Sequence, residues 1–156
     1  MGTYSTSQQH QYPNKPSNYA TLESKIGGNF GLKGAGQHIL YLDDDEAMGF
    51  MVTRILQRAG YRVSSFERAD GALAAVRANP AEFELVVTDF NMPGFSGLDV
   101  AQELARIRPD LPLVITSGYI TDELQAGAQA AGVRRIVHKP NTVDELCRII
   151  QQLLSN

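Results

Sequence analysis

Two kinds of hydrophobic pattern alternate along most of the chain. Short runs rich in Ile, Leu and Val predict strands, and the runs without polar interruption predict strands buried on both faces. Between the runs, apolar residues return every three or four positions, which predicts helices with one apolar face. The predicted strands are residues 39–42, 61–65, 85–87, 113–116 and 134–137. Strands and helices therefore alternate from residue 38 onward.

Residues that favour caps and turns mark the ends of the predicted helices. The first helix passes through Phe50 and Leu56 and ends near Gly60, because glycine suits the left-handed position after a helix. The others are residues 69–78, residues 98–107, a helix opened by Asp122 and Glu123 and closed by Gly132, and a helix that starts with the capping box Thr142 and Glu145. Since connections between parallel strands are right-handed, these units predict an α/β sandwich with helices on both faces of a parallel sheet.

Residues 1–36 have a different composition. They are rich in Ser, Gln, Asn, Tyr, Gly and Pro and contain few large aliphatic residues. Burial of so little apolar surface does not offset the entropy lost on ordering, so this segment is predicted to be a flexible, disordered tail or linker. The prediction is one domain, residues 37–156, preceded by this tail.

Charge and hydropathy exclude several classes of partner. The net charge of the chain is −3, with +2 on residues 1–36 and −5 on residues 37–156, so the domain lacks the basic excess that binds nucleic acids. No apolar run reaches the roughly 18 residues that span a bilayer, and the N-terminus has no apolar signal region. We therefore expect a cytoplasmic protein without membrane contact. The single cysteine, Cys147, lies on an apolar helix face, where a packing role is expected.

Polar side chains follow four of the predicted strands. An acidic run, Asp43 to Glu46, follows the first strand, Asp89 follows the third, Ser117 the fourth and Lys139 the fifth. Pro93, Gly94 and Gly97 then predict a tight loop after Asp89, with Ser96 as the cap of the next helix. The strand order 2-1-3-4-5, common in sheets of this type, makes these four strands neighbours. The four polar groups would then converge on one shallow pocket.

Clustered carboxylates repel one another unless a cation or a proton offsets their charge. Oxygen ligands without His or Cys favour a hard ion, and Mg²⁺ suits a site with one or two carboxylates that keeps waters for a phosphate to replace. Lys139 is the one lysine among ten arginines in residues 37–156. A lysine supplies a compact charge that can follow a phosphoryl group, whereas an arginine prefers fixed bidentate geometry.

The frame Asp89-x-x-Met92-Pro93-x-x-x-Gly97, together with the acidic run, Ser117 and Lys139, resembles the receiver domains of two-component response regulators. The resemblance covers about residues 37–155 and implies a flavodoxin-like doubly wound (βα)5 fold. It also implies that Asp89 is the phosphoacceptor, that Lys139 and Ser117 contact the phosphoryl group, and that Ser117 is the switch hydroxyl. The Mg²⁺ ligands implied are Asp43, Asp44 and Asp89, with Asp44 a direct ligand, and the backbone carbonyl of Asn91.

One position departs from the family pattern. An aromatic residue usually stands three places before the lysine, and this chain has Ile136 there. An aromatic side chain that turns inward on phosphorylation is therefore unavailable, which leaves the route of the signal to the surface open. Tyr119 is a candidate substitute that would cover the mouth of the pocket.

The resulting hypothesis is a signalling switch in which Asp89 takes a phosphoryl group from the phosphohistidine of a histidine kinase or a histidine phosphotransfer protein. One alternative is a phosphohydrolase with Asp43 as nucleophile and Asp45 as general acid. Another is a receiver-shaped docking module that takes no phosphate. The chain ends soon after the last predicted helix, so we expect either a stand-alone receiver or the C-terminal receiver of a hybrid kinase. Dimerisation on phosphorylation is left open.

Overall fold

The computed structural model describes residues 34–139 and 142–155. Five strands alternate with five helices in this part of the chain. In chain order they are β1 (His38–Leu42), α1 (Glu46–Arg58), β2 (Arg62–Phe66), α2 (Ala69–Ala78), β3 (Leu85–Asp89), α3 (Gly97–Ile107), β4 (Leu113–Ser117), α4 (Asp122–Ala130), β5 (Arg135–His138) and α5 (Thr142–Leu154).

The sheet is parallel and has the strand order β2-β1-β3-β4-β5. This confirms the predicted architecture. Every strand therefore points its carboxyl end to the same edge, and Asp89 at the end of β3 pairs in register with Thr116 of β4. Ser117 likewise pairs with His138 of β5.

Alternate residues of the central strands belong to two separate apolar clusters, one on each face of the sheet. One face of β1, with Ile39 and Tyr41, packs with α1 and α5, and the other face, with Leu40 and Leu42, packs with α2 and α3. The strands β1, β3 and β4 are buried along their whole length. The edge strands β2 and β5 keep exposed side chains, because each has a neighbouring strand on one side only.

The predicted helix ends agree with the structure, because they depend on hydrogen bonds and backbone conformations between residues close in sequence. Ser96 caps α3, accepting from the backbone N–H of Asp99, while the Asp99 carboxylate accepts from the N–H of Ser96. Gly60 and Gly132 follow α1 and α4 with φ of 102° and 82°, the left-handed conformation that glycine adopts without strain.

The folded part of the chain includes the last residues of the predicted tail. The backbone N–H groups of Gly34 and Gly36 donate to the carbonyls of Ala59 and Gly60, at 2.6 and 2.9 Å. Residues 1–33 lie outside the described residues. Among the described residues, no helix has the length and hydropathy to cross a bilayer.

Cys147 is expected to resist thiol reagents until the protein unfolds. Its side chain is buried in the cluster between the sheet, α1 and α5. Burial, together with the nearby Asp144, raises the pKa of the thiol to about 12. At pH 8 the folded protein should therefore react with Ellman's reagent at least about 100-fold more slowly than the urea-unfolded chain. A fast reaction in the absence of denaturant would contradict the packing role.

Candidate functional site

Asp89 is fixed at the end of β3 by the loop that follows it. Asp89 is 3 % exposed, and the backbone N–H of Asn91 donates to its Oδ1 at 3.3 Å. The loop returns to the strand end where the N–H of Gly97 donates to the Phe90 carbonyl at 2.9 Å. A Cβ at Gly97 would lie 2.9 Å from the Asp89 carbonyl oxygen, so only glycine allows this approach. The loop thus presents the Asp89 carboxylate at the sheet edge.

The acids after β1 have three different environments. Asp43 is 1 % exposed, and it accepts from the Tyr41 hydroxyl at 3.0 Å and from the Asp45 backbone N–H at 2.9 Å. Asp44 is exposed. Asp45 caps α1, since its Oδ1 accepts from the N–H of Met48 at 3.1 Å. Asp45 therefore serves the helix, and Asp43 and Asp44 remain for the site.

One carboxylate oxygen from each of Asp43, Asp44 and Asp89 lies within 4.8 Å of the others. This set of acids consists of oxygen donors only, as the hard divalent cations require. Two of the three side chains are buried, so their mutual repulsion is poorly screened by solvent. The donor set and its charge therefore fit Mg²⁺, with Asn91 placed beside it on the Asp89 loop.

Lys139 lies between the two buried carboxylates. Its Nζ is 3.1 Å from Asp89 Oδ2 and 3.7 Å from Asp43 Oδ2. Lys139 directly follows β5, and β4 alone separates β5 from β3 in the sheet. The Lys139 side chain therefore extends across one strand to contact Asp89. Residues far apart in sequence thus form one charged cluster.

Opposing effects set the ionisation of the cluster. Burial, followed by the negative charge of Asp43, raises the pKa of Asp89, although Lys139 and the Asn91 N–H partly oppose the shift. Burial works against the charge of Lys139, but Asp43 and Asp89 outweigh it, and the pKa of Lys139 is raised. The Lys139 amine therefore stays positively charged, while burial and the charge of Asp43 disfavour the ionised form of Asp89.

We expect Asp89→Asn to stabilise the metal-free protein at pH 7, because burial and the charge of Asp43 disfavour the ionised carboxylate. A carboxyl whose pKa is raised by folding binds protons more tightly in the folded state, so its contribution to stability falls as pH rises through that pKa. The free energies of unfolding of wild type and variant should therefore diverge as the pH is raised from about 3 to 7. Urea unfolding in EDTA measures the difference, and a variant less stable at pH 7 would contradict it.

The Ser117 hydroxyl is engaged by the backbone of Tyr119 in the loop after β4. The buried Ser117 hydroxyl donates to the Tyr119 carbonyl at 2.8 Å and accepts from the Tyr119 N–H at 3.2 Å. Tyr119 is 79 % exposed, and its role as a cover of the pocket mouth stays a prediction. A serine engaged with the loop backbone must turn before it can reach a group on Asp89.

Two contacts at the site were missed by the sequence interpretation. Tyr41 looked like an apolar strand residue, yet its hydroxyl binds Asp43. Spacing offered a signal, because residues two apart on a strand share a face. His138 Nε2 lies 3.1 Å from the Gly118 carbonyl, which ties β5 to the loop after Ser117. No sequence pattern indicated that contact.

Comparison with known proteins agrees with this geometry. The response regulator receiver domain family matches residues 39–151. The receiver protein CpdR of Brucella abortus is 30 % identical over 118 residues, which are 76 % of this chain and 97 % of that protein. The sensory/regulatory protein RpfC of Xanthomonas campestris is 29 % identical over 119 residues, which cover 74 % of this chain but 16 % of that protein.

Solved structures show the same fold. The chemotaxis protein CheY4 of Vibrio cholerae has a TM-score of 0.71 and 25 % identity, covering 77 % of this chain and all of that one. A Burkholderia pseudomallei response regulator, solved with a phosphorylated aspartic acid, a calcium ion and citrate, has a TM-score of 0.67 and 28 % identity, covering 77 % of this chain and 68 % of that one. Family match, fold and relatives agree, and the chain belongs to the response regulator receiver domains of two-component systems.

Proposed function

We propose that this chain is a phosphoacceptor switch that takes a phosphoryl group on Asp89 from the phosphohistidine of a histidine kinase or a histidine phosphotransfer protein. The observation that carries the proposal is the position of the Lys139 amine, 3.1 Å from an Asp89 oxygen, beside a cluster of three carboxylates. A cation beside the acceptor, together with acids able to hold Mg²⁺, suits transfer of a charged phosphoryl group.

The chemistry asks little of the protein beyond positioning. An Asp89 carboxylate oxygen attacks phosphorus, the O–P bond forms, and the P–N bond to the donor imidazole breaks with its electron pair remaining on nitrogen. Lys139 offsets charge on the transferred oxygens. Mg²⁺, held by Asp43, Asp44, Asp89 and the Asn91 carbonyl, would supply further neutralisation of those oxygens. Hydrolysis of the acyl phosphate by water then resets the switch.

Conformational relay would begin at Ser117. To donate to a phosphoryl oxygen on Asp89, its hydroxyl must leave the Tyr119 carbonyl that it now contacts at 2.8 Å. That exchange releases the backbone after β4 and shifts the conformational equilibrium of the surface formed by α4, β5 and α5. Ile136 lies half-buried on this surface, where the family pattern has an aromatic side chain.

The two rival functions fit the geometry less well. A phosphohydrolase needs a free nucleophilic oxygen, but both carboxylate oxygens of Asp43 accept hydrogen bonds, one from the Tyr41 hydroxyl and one from the Asp45 N–H. Its proposed general acid, Asp45, is engaged as a helix cap. A docking module without phosphate chemistry has no need of Lys139 between two buried acids, whose burial carries a cost.

The whole-protein context is also proposed from relatives. The chain spans nearly all of CpdR but about a quarter of the transcriptional regulator DctD of Rhizobium meliloti and 16 % of RpfC. Relatives thus include a receiver with little else and receivers within longer regulators. We propose a cytoplasmic receiver whose partners are a kinase or phosphotransfer protein, and whose output acts through protein contact without nucleic acid or membrane binding by the receiver itself.

The test uses a small phosphodonor, which bypasses the unidentified kinase. The purified chain is incubated with acetyl phosphate with and without Mg²⁺, and intact mass reports a gain of one phosphoryl group that is labile to hydroxylamine. We expect labelling only with Mg²⁺. A chain that gains no label, and whose amide spectrum is unchanged by Mg²⁺ and beryllofluoride, would favour the docking module. Transfer from a panel of purified histidine kinases then tests the donor class.

A further inference from the structure

Tyr41 places a hydroxyl beside one of the two apolar clusters that flank the sheet. It is the fourth residue of β1, its side chain is 0 % exposed, and it belongs to the apolar cluster between the sheet, α1 and α5. A buried hydroxyl without a partner would be costly. The hydroxyl meets that need by donating to Asp43 Oδ2 at 3.0 Å, so the ring is anchored by packing and its oxygen by Asp43.

Asp43 is held on both carboxylate oxygens. Oδ1 accepts from the Asp45 N–H at 2.9 Å, and Oδ2 faces both the Tyr41 hydroxyl and, at 3.7 Å, the Lys139 amine. With 1 % of its surface exposed, Asp43 has little access to water as a substitute donor. Any donor lost from Oδ2 would have to be replaced by a neighbour already at the site.

Lys139 is shared unequally between two acids. Its amine is 3.1 Å from Asp89 Oδ2 but 3.7 Å from Asp43 Oδ2. Both acids are buried and negatively charged near one ammonium, so they compete for it. A hydrogen bond to a carboxylate withdraws part of its charge, and the Tyr41 hydroxyl does this for Asp43 alone.

We propose that Tyr41 is a positioning residue whose hydroxyl holds Asp43 and so leaves the Lys139 amine closer to Asp89. The inference deepens the proposed function and rests on it, because Lys139 beside Asp89 matters for phosphoryl transfer.

The test compares Tyr41→Phe with Tyr61→Phe. Phenylalanine keeps the packing of the ring and removes only the hydroxyl. Tyr61 is also a buried tyrosine of the same apolar cluster, but it directly precedes β2, at the sheet edge opposite Asp89. The readouts are the Mg²⁺ dissociation constant from amide shifts, the maximal labelling rate by acetyl phosphate at saturating Mg²⁺, and the two Lys139 distances in a crystal structure.

Tyr41→Phe should lower the maximal labelling rate about 3- to 10-fold, the size expected for one hydrogen bond. Mg²⁺ affinity should change less than the rate, because Asp43 loses a neutral hydrogen-bond donor while the Lys139 amine moves towards it, and these two changes have opposite effects on metal binding. Tyr61→Phe should match wild type in all three readouts. A labelling rate equal to wild type, or a loss of Mg²⁺ affinity in proportion to rate, would overturn the inference, because general loosening of the site lowers both.

The distances separate this inference from the proposed function. If the wild-type chain takes no label, the phosphoacceptor proposal fails, while the position of Lys139 in Tyr41→Phe still decides the role of Tyr41. An amine closer to Asp43 than to Asp89 supports the inference. Unchanged distances refute it.

Discussion

Asp89→Asn is expected to reduce Mg²⁺-dependent labelling by acetyl phosphate to below about 1 % of the wild-type rate, the largest loss we foresee. An amide is a poor nucleophile, and the substitution also removes a proposed metal ligand and a carboxylate that lies 3.1 Å from the Lys139 amine. Because the variant should be as stable as wild type or more so, the loss cannot be attributed to unfolding. Intact mass after a fixed incubation measures it.

The matched control for this experiment is Asp110→Asn. Asp110 is a 79 % exposed carboxylate paired with Arg108 near the start of β4, at the opposite edge of the sheet. The Asp110→Asn variant should gain the phosphoryl label at the same rate as wild type. Retention of label in Asp89→Asn, mapped to another acid by peptide sequencing, would contradict Asp89 as the acceptor and reopen the hydrolase reading based on Asp43.

Lys139→Ala is expected to have the second largest effect, a fall of about 100-fold in labelling rate at saturating Mg²⁺. The same change should destabilise the metal-free protein by about 3 kcal/mol, since it leaves Asp43 and Asp89 buried without their cation. Mg²⁺ should restore much of this stability by binding the folded state. Urea unfolding with and without Mg²⁺, alongside the labelling assay, measures both effects.

Arg135→Ala supplies the comparison for Lys139. Arg135 is an exposed cation on β5, the strand that Lys139 follows, and lies three residues before the strand ends. Its removal changes the net charge equally, so it should leave labelling and the Mg²⁺ dependence of stability unchanged. If both variants lost labelling alike, a general charge effect would explain the result, and the specific role of Lys139 would be refuted.

The positions of the main charged residues of the site were largely predictable from the sequence. Asp43, Asp89 and Lys139 each follow a predicted strand, and in parallel strands such positions fall on one edge. Their convergence needed the strand order, which was adopted from known sheets of this type and not read from the residues. Helix ends were predictable too, because Ser96, Gly60 and Gly132 act through backbone groups next to them.

The missed features depend on side-chain rotation and loop path, or on a contact between distant segments. The Ser117 hydroxyl could be placed at a strand end, but its choice of the Tyr119 backbone is a matter of side-chain rotation. Tyr119 is 79 % exposed, and no sequence pattern fixes the path of its loop. The contact between His138 and Gly118 joins segments 20 residues apart and has no local signature.

The burial of the chain's single thiol has a practical use. Cys147 is the one cysteine in the sequence and is buried, so the surface of the described fold presents no thiol to a labelling reagent. A cysteine introduced in place of the exposed Tyr119 would then be the one site to accept a maleimide dye, without prior removal of the native residue. Fluorescence from that position would report the movement of the loop beside Ser117 in real time.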